Sequence, residues 1–227
     1  MVTITINKKV TKKTNNKLGT KFGTTKITKK GIKDIKIKCS KHKFNKKWCL
    51  CQISEIIIDT EFLVQINKKK IEKSKRSCFN TKTLKVVSCD KKNGKLVPKK
   101  PHHKKLDVKS VEIHELQHVE DIMEHLTKAL KKRLDGIDKM QSVGCPCTKT
   151  KTQCKKALTN RVQNRIKAIL KIAYKRILNH QSHTEKTARK AQAKYLLEQC
   201  RKKKLKLKKR APKKRVQKKR EIKRKRK

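Results

Sequence analysis

The stretch DVKSVEIHELQHVEDIMEHLTKALKKRLDG, residues 107–136, decides how the rest of the chain is read. Leu116, Val119, Met123, Leu126 and Leu130 recur at helical spacing. They predict an amphipathic helix that starts near Ser110, with Asp107 or Ser110 as its N-cap, and runs to Gly136. On a wheel of 100° per residue, His114, His118, Asp121 and His125 form a second stripe about 140° away from the apolar one. One face of this helix is built for packing, and the other carries residues of the kind that bind metals or move protons.

Working outward, the texture changes sharply on the two sides. Before residue 98 the sequence favours strands: VTITI at 2–6, DIKIK at 34–38 and the long run CLCQISEIIIDTEFLVQI at 49–66, all rich in Ile, Val and Thr. After residue 107 the apolar residues recur at three and four. Leu158, Val162, Ile166, Ile169, Ala173 and Ile177, then Ala188, Ala191 and Tyr195, share one face of a long helical region. The expected fold class is α+β, with a strand-rich part over 1–98 and a helical part over 107–200 in one domain spanning 1–200. The apolar stripe is interrupted at LNHQSHTEK, where His180, His183 and Glu185 stand on or beside it.

The composition is extreme. In 227 residues, 70 Lys and Arg face 17 Asp and Glu for a net charge of +53, and aromatics make up 3%. Such a chain repels itself and attracts polyanions, nucleic acid or anionic membrane. The attraction is concentrated in residues 201–227, which hold 19 basic residues and one Glu and are expected to be a polybasic tail, disordered or a frayed helix unless it sits on an anion. No apolar run reaches the length of a membrane span. Nine cysteines favour disulfides and an exported or periplasmic location, although MVTITINKKV lacks the apolar core of a signal peptide. Cys78 and Cys89 bracket a segment of hairpin length, FNTKTLKVVS, and are the first candidate pair. Phosphate-cradling glycine loops and serine-nucleophile motifs are missing.

Histidines at i and i+4 stand one above the other on a helix, so His114 and His118 can reach one Zn²⁺ at about 2.0–2.1 Å. Glu115 lies beside them, placed as general base to take a proton from the attacking water and pass it to a leaving amine. Asp121, one turn on, is a candidate to orient His118 from the second layer.

His114-Glu115-x-x-His118 resembles the motif of the zincin metallopeptidases, and strands followed by this helix and a second long helix are similar to the compact zincin architecture. VEIHELQHVED, with a cysteine some thirty residues on, looks most like a small bacterial family of uncharacterised exported proteins regarded as zinc proteases. The resemblance implies His114 and His118 as zinc ligands, Glu115 as general base, and a peptide or protein as substrate. Asp121 and Glu124 stand where the metzincin continuation has glycine and its third histidine, so the third ligand comes from elsewhere: His180, His183 or Glu185. The His-Gly pair expected downstream in the exported family does not occur. The competing reading is a non-catalytic basic protein that binds nucleic acid or ribosomes, in which HELQH is incidental.

Overall fold

The computed structural model describes residues 2–41, 48–133, 143–146, 151–179 and 181–224. The strand-rich part is built on three long strands, β1 (Thr3–Thr14), β2 (Gly23–Lys41) and β3 (Trp48–Ile66). β3 lies in the middle, parallel to β1 and antiparallel to β2. Then follow the short helix α1 (Lys68–Lys73), the strands β4 (Cys78–Asn80), β5 (Lys85–Val87), β6 (Asp90–Lys92), β7 (Lys95–Val97) and β8 (His103–Lys105), and helix α2 (Val108–Lys131). β9 (Val143–Pro146) adds to β3 beside Trp48–Cys51, a strand inside the part expected to be helical. The chain continues as α3 (Lys151–Asn179) and α4 (Gln181–Arg224). A mixed α+β architecture is therefore established.

The pairing of β2 with β3 is irregular, and the irregularities arrange the core. Register shifts fall between Ile27 and Lys29, between Ile32 and Asp34, and between Lys36 and Ile37. An extra residue in one strand flips the side-chain alternation. In β3 the buried residues change accordingly from Cys51 and Ile53 to Ile56, Ile58, Thr60, Phe62, Val64 and Ile66. In β2 the same device keeps Ile35 and Ile37 inside and Ile27 and Ile32 packed against the core, although they do not share one period-two pattern.

The core has two parts. One joins Ile35, Ile53, Ile56 and Ile58 to Leu126 and Leu130 of α2 and to Leu158, Val162, Ile166 and Ile169 of α3. The other joins Phe62, Val64 and Ile66 to Phe79 and Leu106, to Val111 and Val119 of α2, and to Ala193 and Leu196 of α4. α2 thus lies across the sheet, with α3 against its C-terminal half and α4 against its N-terminal half. Its start is fixed by a capping box: the Asp107 carboxylate accepts from the Ser110 amide at 2.6 Å, and the Asp107 amide donates to the Ser110 hydroxyl at 3.2 Å. Lys8 of β1 reaches Glu120 at 2.6 Å, and Lys12 reaches Glu112, pinning the outer flank of α2.

Residues 201–224 of the polybasic tail continue α4, which runs to Arg224. Lys and Arg are good helix formers, and the first turns of α4, docked on α2, nucleate the helix that the tail extends. The expected pair Cys78–Cys89 does form a disulfide across the β4–β5 hairpin. A second bridge, Cys39–Cys51, joins residues directly opposite each other on β2 and β3. Cys154 is bridged as well, and Cys200 is free. The disulfides are compatible with an extracellular location. No helix among the described residues is long and apolar enough to cross a membrane.

Candidate metal centre

α2 turns His114 and His118 the same way, as their four-residue separation requires. The two Nε2 atoms face each other at 3.2 Å. Oε2 of Glu185, one turn into α4, closes the triangle at 3.5 Å from His114 and 3.3 Å from His118. An ion held tetrahedrally at about 2.0–2.1 Å from each ligand sets its ligand atoms about 3.3–3.4 Å apart. The three sides of this triangle lie around that value, so the His114–His118–Glu185 cluster can hold a metal ion. The site depends on the docking of α4 against α2, since neither helix carries all three ligands.

Glu185 is the one of the three candidate third ligands that the structure brings to the histidines. His180 and the side chain of His183 lie outside the described residues. Glu185 is itself held in place, for Nε of Arg189, four residues on, donates to its Oε1 at 2.6 Å. Arg189 also donates from a terminal nitrogen to the carbonyl of Leu84 at 3.3 Å. That carbonyl belongs to the β4–β5 turn, where Leu84 has a positive φ of 56°. His114, His118 and then Arg189 favour the ionised Glu185 carboxylate strongly enough to place it far below the usual carboxylate range despite its partial burial.

Glu115 lies against the sheet and lines the same cleft as the two histidines. Its side chain is buried and abuts β2, where Oε2 accepts a hydrogen bond from the Thr25 hydroxyl at 2.7 Å. Gly23 leaves the room for it: a Cβ at that position would lie 2.6 Å from Oε1. Burial raises the Glu115 carboxyl above its ordinary pKa, and this outweighs the opposing hydrogen bond from Thr25 and the charges of the two histidines. A carboxylate raised in this way is a better proton acceptor near neutral pH.

Asp121 does not orient His118. Its Oδ1 accepts from Gln117 at 2.8 Å and its Oδ2 from the hydroxyl of Thr187 on α4, so it ties the two helices together. The reason is geometric: Gln117 one turn back and Thr187 across the interface claim both oxygens. The Nδ1 of His114 is buried with no hydrogen-bond partner, so no acceptor fixes the tautomer that turns its Nε2 lone pair toward the cluster. His125 is half-buried and outside the cluster.

The three ligands and Glu115 open onto a cleft of about 790 Å³. One wall is the run from Lys21 to Ile27, which leads into β2 and whose outer edge pairs with no other strand among the described residues. Phe79, Val86, Arg189, Ile122 and Tyr174 also line the cleft. Lys30 stands over the Tyr174 ring at 4.0 Å from its centroid. Sequence reasoning missed Gly23, Thr25 and Arg189. Gly23 and Thr25 meet α2 only through tertiary packing, and nothing in their local sequence distinguishes them. Arg189 had a local signal, its i, i+4 spacing from Glu185.

Comparison with protein-family models, with curated proteins and with solved structures gives no match to this chain.

Proposed function

We propose that the protein is a zinc-dependent metallopeptidase of zincin type, with His114, His118 and Glu185 as ligands and Glu115 as general base. The observation that carries this reading is the convergence of three metal-type donor atoms 3.2–3.5 Å apart beside a buried carboxylate. Two imidazoles and one carboxylate suit zinc better than calcium or magnesium, which prefer all-oxygen sites. Zinc held there supplies Lewis acidity and makes a water acidic enough to ionise near pH 7.

The residues of the chain account for the rest of the chemistry. Glu115 receives the proton of the attacking water on its carboxylate and returns it to the departing amine nitrogen. Thr25 fixes the carboxylate by its hydrogen bond to Oε2, and Gly23 keeps the strand backbone close behind it. Arg189 holds Glu185 in register with the two histidines. The open edge of β2 along the cleft suits an extended peptide, whose backbone can pair there as an added strand. The disulfides support export as the setting in which this activity operates.

The test is metal analysis of the purified full-length protein combined with a peptide hydrolysis assay. Wild type is expected to carry about one zinc per chain, and His118→Ala to lose it. Glu115→Gln is expected to keep the metal and lose hydrolysis. Wild type without metal, or Glu115→Gln with undiminished hydrolysis, refutes the reading.

A further inference from the structure

α3 carries basic residues and no acidic one. Between Asp138 and Glu185 the sequence contains no acidic residue. On the α3 surface Arg161, Arg165, Lys167, Lys171, Lys175 and Arg176 are all exposed, and none is ion-paired among the described residues. Some lysines on other elements have carboxylate partners, as in Lys8 with Glu120, Lys36 with Glu55 and Lys128 with Glu124. The opposite face of α3 is buried through Leu158, Val162, Ile166 and Ala173, so its basic residues are confined to the solvent side.

Spacing makes this face an array. Lys167, Lys171 and Lys175 succeed one another at four residues and form a row with a rise of about 6 Å per step. Arg161 and Arg165 have the same separation. Like charges at i, i+4 disfavour a helix, and α3 carries four such pairs with no carboxylate within the element to relieve them. From Lys155 to Arg176 the exposed cations extend over about 32 Å, close to the roughly 34 Å of one duplex turn.

We propose that the outward face of α3 binds the phosphate backbone of double-stranded nucleic acid. The surface favours this ligand over two others. Tyr174, the aromatic residue of α3, is buried, so the face offers no platform on which the bases of a single strand can stack. Ile172 is the one large apolar residue exposed on it among the described residues, too little to seat in a bilayer. Binding through such a face reads charge and spacing rather than base sequence. It is independent of the metal centre, and it adds to any contact made by residues 201–227.

The experiment compares two full-length variants of equal charge. One is Lys167→Gln/Lys171→Gln/Lys175→Gln; the other is Lys9→Gln/Lys13→Gln/Lys33→Gln, which removes exposed lysines of β1 and β2. Affinity for a fluorescent 20-base-pair duplex is measured as a function of salt, with far-UV circular dichroism to verify helix content. Each lost phosphate contact lowers the slope of log K against log salt by about 0.9 and reduces affinity at 0.1 M salt by up to roughly eightfold. The α3 variant is expected to lose about 2–3 from the slope and at least about tenfold in affinity, and the strand variant far less. Equal losses in both variants mean that net charge alone drives binding, which overturns the proposal. It is also overturned if vesicles of anionic lipid bind with the same dependence on α3 while the duplex does not.

Discussion

Replacing Gly23 by alanine tests the closest contact in the candidate site. The added Cβ would stand 2.6 Å from Oε1 of Glu115, 2.8 Å from its Cγ and 3.0 Å from its Cδ. Ordinary contact begins near 3.4 Å, so Oε1 must retreat by about 0.8 Å or the side chain must change rotamer. β2 cannot yield easily, because it is paired to β3 along its length. Glu115 cannot yield without loosening its hydrogen bond from Thr25, which holds it at 2.7 Å. Overpacking of this kind costs about 1–3 kcal/mol, and moving a catalytic group by close to 1 Å costs on the order of a hundredfold in rate. Gly31→Ala, in the same strand with nothing within 4 Å of the new Cβ, is the control. It is expected to be neutral or to gain about 0.4–1 kcal/mol. Urea denaturation, zinc content and peptide hydrolysis are measured on both. Gly23→Ala should lose stability and hydrolysis while keeping its metal. If it matches Gly31→Ala in stability and rate, the packing of Glu115 against β2 described above is wrong.

Three further outcomes are expected. Arg189→Ala frees Oε1 of Glu185 and should weaken zinc binding by about 10–100-fold, the usual effect of losing a group that orients a ligand, as read by competition with a chromogenic chelator; unchanged affinity would show that Glu185 needs no such support. Asp121→Ala removes the carboxylate that joins Gln117 to Thr187 across the two helices, leaving Thr187 its bond to the Thr184 carbonyl, and should cost about 1–3 kcal/mol in urea denaturation with zinc stoichiometry intact, whereas loss of zinc would restore Asp121 to the metal centre. Cys78→Ala/Cys89→Ala opens a loop with a sequence separation of 11 and should lower stability by about 3 kcal/mol or somewhat less; a variant as stable as wild type under oxidising conditions would mean that the bridge contributes nothing.

Much of the architecture was legible because it rests on patterns within single segments. The α2 helix, its Asp107 cap and its two faces follow from spacing over a few turns. β3 follows from a run of β-branched residues, and the Cys78–Cys89 pair from the length of a hairpin. What was illegible depends on segments meeting at a distance. The sequence left His180, His183 and Glu185 open as third ligands. Among the described residues Glu185 is the one that meets the two histidines, through the docking of α4 on α2 and the grip of Arg189. Gly23 and Thr25 lie some ninety residues from Glu115, and no periodicity connects them. The course of β2 was obscured for another reason: its bulges break the alternation by which strands are recognised. The composition of the tail measures its charge and says little about the helix of α4 that runs into it.

The bulged edge of the sheet also bears on how copies of the chain behave toward one another. A straight edge strand of 19 residues is a template onto which a second molecule can add its own strand, the first step of aggregation. β2 resists this along most of its length. Its register shifts twist the backbone out of line, and Lys29, Lys30, Lys33, Lys36 and Lys38 are exposed along it. The stretch Gly23–Ile27 keeps an unbroken register, and it is the part that α2 screens and the cleft borders. Along β2, therefore, addition of a strand from another copy is disfavoured outside the segment that borders the cleft.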